Sequence, residues 1–201
     1  MAGTVGGVLW VVSTAMHAVK PVGCVAAECA TRPMRETGAV GGAMALIAML
    51  LFTVTASVVV ALAYRTGRFG RVGKVGAAAA LAGVVTLVVA SVVQVALFDG
   101  DFPLMPYFVI PGIAALLIGV GLLGITVLRS GVLPRWAAGA LLVGVLAMVG
   151  FNEQTAAAWL AIPFGLAWMV VGYALWARHG SSAAPPPQPD IRDRMSPGTR
   201  Q

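Results

Sequence analysis

The chain has 201 residues, 59% of them hydrophobic and only 10% charged, with a net charge of +6 at neutral pH. Its mean hydropathy is +0.92. A soluble domain carries roughly 25% charged residues, so a water-soluble globule this apolar would lack a polar surface, and the membrane class is what remains.

A membrane-spanning helix needs about 20 apolar residues. Six spans are expected, near residues 5–24, 38–64, 75–98, 106–128, 134–151 and 155–177. No alternating barrel-type strands are present, so helices must satisfy the backbone in lipid. The expected fold is therefore all-α, a polytopic helical bundle over 1–178.

The first span is interrupted by His17, Lys20 and Pro21. The loop after it holds Cys24, Glu28, Cys29, Arg32, Arg35 and Glu36. On an oxidising outer face Cys24 and Cys29 are candidates for a disulfide. Free thiols are one alternative. A metal site with His17 as third ligand is another, but the spacing supplies no fourth ligand. Lys20, Arg32 and Arg35 are expected to pair with Glu28, Glu36 or other outer acids. An anionic group on a ligand is their alternative partner.

The second span opens on Gly38, Gly41 and Gly42, small residues of the kind that let helices pack closely in lipid. The purely basic loop of Arg65, Arg68, Arg71 and Lys74 follows it. In the third span Gln94 is the only strongly polar residue, and it shares a face with Ser91 and Phe98. Asp99 and Asp101 then form a purely acidic loop. The fourth span carries Tyr107, Phe108 and Pro111, with Gly112, Gly119, Gly121 and Gly124 along it. Arg129 and Arg135 make the next loop basic, and Glu153 makes the one after it acidic. The sixth span carries Trp159, Pro163, Phe164 and Trp168. Residues 179–201 form a Pro-rich polar tail that cannot bury apolar surface and is expected to be disordered.

Two hairpins look alike. Phe98-Asp99 leads to Ile110-Pro111, and Phe151 with Glu153 leads to Ile162-Pro163. Both prolines are expected inside helices, where each frees a carbonyl. An ordinary kink is one consequence. Two splayed helices opening an outward-biased pocket is the other.

Ten of the thirteen Lys and Arg residues fall on the side of the two basic loops and the C-terminal tail. Lys20, Arg32 and Arg35 remain on the other. The positive-inside bias places both termini in the cytoplasm of a multi-pass plasma-membrane protein. The positive charge is thus an orientation signal. It is no nucleic-acid footprint, and no nucleic-acid partner is expected.

The same topology puts Asp99, Asp101 and Glu153 at one face, beside aromatic residues. These three are the candidate catalytic acids. Gln94, Tyr107, Phe108, Trp159, Phe164 and Trp168 are the candidate substrate contacts. P-loop, HExxH, GxSxG and Asp-rich diphosphate motifs are absent from the sequence. No metal or cofactor is expected.

The stretch His17 to Gly38, with Gly23-Cys24-Val25, Glu28-Cys29-Ala30 and Arg32-Pro33-Met34-Arg35-Glu36, resembles the first loop of small polytopic membrane proteins of actinobacteria. In size, span count and acid-plus-aromatic outer mouths, residues 1–178 also resemble the membrane-bound terpene cyclases of bacterial indole-sesquiterpenoid pathways. That second resemblance is architectural and rests on no diagnostic motif. It implies acid-initiated carbocation cyclisation of a prenylated, farnesylated substrate, with no diphosphate lost. Such chemistry needs a carboxylic acid held protonated and π-faces for the cation. The alternative class is a non-enzymatic small transporter or accessory subunit. No charged residue stands at mid-bilayer, where transporter coupling ions usually bind. The sequence leaves the oligomeric state open.

Overall fold

A computed structural model describes residues 1–36, 38–98 and 104–182. The protein is all-α, and among the described residues it contains no strand. Six α-helices follow in order: α1 (Ala2–Ala18), α2 (Ala39–Arg65), α3 (Gly70–Phe98), α4 (Met105–Ser130), α5 (Arg135–Val149) and α6 (Ile162–Ser182). Short 3-10 helices at Ala26–Ala30 and Ala156–Ala161 lie in the first and last connections.

Six spans were expected, and among the described residues four segments are long and apolar enough to cross a membrane: Ala39–Arg65, Gly70–Phe98, Met105–Ser130 and Ala156–Arg178. Helices α1 and α5, with 17 and 15 residues, are shorter. At 1.5 Å per residue they reach about 25 and 22 Å, below the ~30 Å hydrocarbon core. Large apolar side chains are exposed along the helices, among them Leu50, Leu81, Ile118 and Leu146. Such a surface belongs in lipid. The chain is a membrane protein.

Helix ends follow local chemistry. Helix α1 stops at Ala18 with Val19 as its cap, well short of residue 24. Pro21 disfavours the helical region for the residue before it, so the chain turns out there. Between α2 and α3 the turn uses Gly67 and Gly70, both at positive φ (68° and 58°). A side chain at either position would be strained. Pro111 does lie inside α4. Pro163 lies at the start of a helix and not in its interior as expected. Helix α6 begins at Ile162, so Pro163 occupies its first turn, where a missing N–H leaves no bond unmade. The two hairpins therefore differ, and only one proline interrupts a helix. His179 to Ser182, expected to begin the tail, continue α6 instead. Residues 183–201 lie outside the described residues.

Packing runs α2–α1–α6–α5–α4–α3, each helix against the next, with a lesser contact between α2 and α4. Helices α2 and α3 make no extended contact with each other despite their short connection. The ring is open on that side.

Two of these pairings depend on glycine. Gly3 and Gly7 of α1 meet Gly172 and Gly165 of α6. Gly76 and Gly83 of α3 face Gly119 and Gly112 of α4. A Cβ on Gly83 would sit 2.5 Å from the Leu116 nitrogen and 2.6 Å from the Gly112 oxygen. A Cβ on Gly119 would overlap the Ala80 backbone. Without a hydrophobic force between helices in lipid, this close backbone approach supplies the packing energy.

The loop end of the bundle is closed by Arg35, which is only 7% exposed. Its guanidinium donates to four main-chain carbonyls: Pro21 (3.0 Å), Lys20 (3.1 Å), Glu153 (2.7 Å) and Thr155 (3.3 Å). Gln154 completes the latch, with Oε1 accepting from the Arg35 amide and its carbonyl from Gly23. Arg35 thereby ties the first connection to the last. Lys20 likewise donates to the Glu36 carbonyl at 2.8 Å. These two cations bind main-chain oxygens and not the acids expected for them. Arg32 does pair with Glu28, at 3.9 Å.

Candidate functional site

The residues singled out by the sequence do not form one cluster. Asp99 and Asp101 lie outside the described residues. Glu153 is exposed between α5 and α6. Its main-chain oxygen is what the fold uses, accepting from Arg35 and, at 3.2 Å, from His17 Nε2. Trp159 is 44% exposed on the 3-10 segment before α6, and Tyr107 is 76% exposed in the first turn of α4. Phe108 is also exposed, and Gln94 is half-buried on α3. Cys24 and Cys29 are joined by a disulfide, so neither offers a thiolate to a metal beside His17.

Phe164 and Trp168 separate from this group. They are 3% and 4% exposed, one turn apart on α6. Phe52 of α2 stacks on Trp168 at 4.9 Å with the rings 15° apart. Phe52 meets Phe164 edge-on at 5.8 Å and 89°. Trp10 of α1 closes the cluster, 5.9 Å from Phe52 and 5.8 Å from Phe164, and its indole donates to the Ala161 carbonyl at 3.0 Å. Each such ring pair contributes about 0.5–1.5 kcal/mol beyond area burial.

This cluster forms the floor of a cavity of about 540 Å³. Its walls are α2 (Met49, Ala56, Val60), α3 (Ala77, Leu81, Val84) and α4 (Leu116, Val120, Leu123). Phe52, Phe164 and Trp168 close it on the inside. It occupies the gap where α2 and α3 fail to meet, so its open side faces the lipid. The volume lies within the roughly 300–1,000 Å³ usual for small-molecule sites.

The polar groups on the lining are few. They are Thr53, Ser57, Tyr64 and Arg65, all on α2. Thr53 and Ser57 donate their hydroxyl protons to the carbonyls of Met49 (2.9 Å) and Thr53 (2.8 Å). They face the cavity only as acceptors. Tyr64 and Arg65 stand at the C-terminal end of α2. No described acid lines the cavity. The Trp168 indole Nε1 is buried without a hydrogen-bond partner among the described residues. Buried indole N–H groups normally have one; this nitrogen is itself buried and does not open onto the cavity.

The cavity runs from the middle of α2 to its basic end. Glu153 sits at the opposite end of the bundle, with His17 and Arg35. Phe164 and Trp168, expected to wall an outward-biased pocket under the acids, line this cavity instead at a distance from Glu153, while Asp99 and Asp101 lie outside the described residues. Phe52, Trp10 and Arg65 complete the site and were not among the sequence-derived candidates. The available signal was Phe52 itself, the one aromatic residue in the middle of the second span.

The chain matches no family model, no curated protein and no solved structure.

Proposed function

We propose that this protein binds a long-chain apolar small molecule, prenylated or of similar character, taken sideways from the bilayer into the cleft between α2 and α3. The observation that carries the reading is the aromatic-floored 540 Å³ cavity, open where two consecutive helices do not pack. A greasy ligand partitions into lipid and enters through such a gap without crossing water.

Binding is tested on the full chain in detergent micelles by displacement of a fluorescent farnesol analogue. The parent is expected to bind in the micromolar range. Ala77→Phe fills the wall and is expected to weaken binding at least tenfold while leaving thermal stability within a few degrees. Equal binding by parent and Ala77→Phe would reject the cavity as the site.

A second reading is acid-initiated cyclisation of a farnesylated substrate. It is favoured by the ring faces of Phe52, Phe164 and Trp168, since π-faces attract carbocations. It also needs a carboxylic acid at the guest. Glu153 stands at the other end of the bundle, and Asp99 and Asp101 lie outside the described residues. Binding without turnover is therefore the reading ranked first. Conversion of a farnesylated indole by parent membranes, lost about 10²–10⁴-fold in Asp99→Asn, Asp101→Asn or Glu153→Gln, would reverse that ranking.

The proposed orientation has both termini cytoplasmic in the plasma membrane, from the ten-to-three division of basic residues. The open end of the cavity then faces the cytoplasmic leaflet. With single cysteines introduced into a Cys-free background, an impermeant reagent applied from outside should label position 100 and spare position 70. The reverse pattern would invert the assignment.

A further inference from the structure

We infer that the cavity's guest is an anionic amphiphile of the leaflet, with its head group held at Arg65 and its chain lying along α2 to the aromatic floor. The inference rests on the cavity reading and adds the chemistry of the guest's head. Three observations lead to it.

The first is charge. Arg65 lines the cavity mouth, and Arg68, Arg71 and Lys74 follow in the adjoining turn and first turn of α3. All four are exposed. Among the described residues none of them makes an ion pair or side-chain hydrogen bond. No described acid lies on this end of the bundle, because Glu28, Glu36 and Glu153 all lie in the connections at the opposite end. A cation at the mouth of an apolar cavity, with no counter-charge among the described residues, is complementary to an anion. Phosphate and carboxylate both fit the arginine fork.

The second is length. Thirteen residues of α2 separate Phe52 from Arg65, which is about 20 Å of helix. Half of a ~30 Å hydrocarbon core is about 15 Å. The site therefore runs from the head-group level to near the bilayer midplane. That is the reach of one chain of a single leaflet, anchored at the surface by its head.

The third is polarity along the way. Between the mouth and the floor, Thr53 and Ser57 have committed their protons to their own helix. They offer nothing that would hold a second charged group. The anion is held at one end only, and Tyr64 beside Arg65 adds a phenolic donor there.

The test compares three probes on the full chain in detergent micelles: farnesyl monophosphate, farnesol and inorganic phosphate. Farnesyl monophosphate should bind about fivefold tighter than farnesol or better, since one Arg near a membrane surface is worth roughly that. Arg65→Gln should bring the two within twofold, and a size-exclusion profile and thermal midpoint matching the parent report that the variant is folded. Inorganic phosphate should not displace farnesyl monophosphate at matched concentration. Equal binding of the two prenyl probes by the parent would overturn the head-group assignment and leave the cavity reading standing. A preference that survives Arg65→Gln would also overturn it. Displacement by inorganic phosphate would point to a soluble anion and refute a leaflet amphiphile. Binding of neither prenyl probe would refute the cavity reading itself.

Discussion

Replacing Arg35 with Ala should lower the thermal midpoint of the purified protein by about 10 °C. Four carbonyl oxygens from two distant connections converge on this guanidinium, which is 7% exposed. Removing the donor leaves those oxygens short of partners. An unsatisfied buried group costs about 1–3 kcal/mol, and breaking a buried charged cluster about 3–5 kcal/mol in total. For a chain of this size each kcal/mol shifts the midpoint by about 2–4 °C. Lysine should rescue little, because a single ammonium cannot span carbonyls that Nε and both terminal nitrogens reach. The first connection, with its Cys24–Cys29 disulfide, should also become protease-sensitive. A midpoint within about 2 °C of the parent would show that the latch is dispensable.

Gly119→Ala should destabilise by about 3 kcal/mol, at the upper end of what overpacking usually costs. The added methyl overlaps the Ala80 backbone, and a backbone cannot swing aside as a side chain can. Helix α3 would have to move off α4 along the Gly83–Gly112 contact. Gly121→Ala, two residues on in the same helix, is the matched control. Its methyl meets only Val145 Cγ1, at 3.8 Å. The control should be neutral or slightly stabilising, because Ala has the higher helix propensity. Comparable midpoints for the two variants, by fluorescence-detected size exclusion after heating, would contradict the glycine-dependent packing. Ala77 and Ala80 also wall the cavity, so a displaced α3 should weaken ligand binding in step with stability.

Much of the fold was legible in the sequence because two strong signals agree there. Helix α2 ends within a residue of its expected bounds, since an unbroken apolar run is bracketed by Gly38 and Arg65. Two ends were misread, that of α1, which stops at Ala18, and the start of α6. Ile162-Pro163 reads as a kink only if residues 155–161 are α-helical, and a 3-10 turn there is invisible to hydropathy. The candidate site was legible only in part. Phe164 and Trp168 stood out because belt aromatics belong at helix ends, and these two lie further in. Glu153 drew attention through its carboxylate, yet the fold uses its carbonyl. Sequence patterns report side chains and say little of which main-chain oxygens will converge on a distant arginine. The cavity was hidden for a related reason. It exists because α2 and α3 part after a tight glycine turn, and no residue pattern announces a contact that is not made.

The central claim is that an apolar guest lies between α2 and α3. A diazirine analogue of farnesol, photolysed with the full chain in lipid nanodiscs and mapped by peptide mass spectrometry, tests it most directly. The account predicts adducts on residues 49–65, 77–84 and 164–168, suppressed by excess farnesol. Adducts confined to 104–110 and 151–160, or labelling that excess farnesol leaves unchanged, would contradict it.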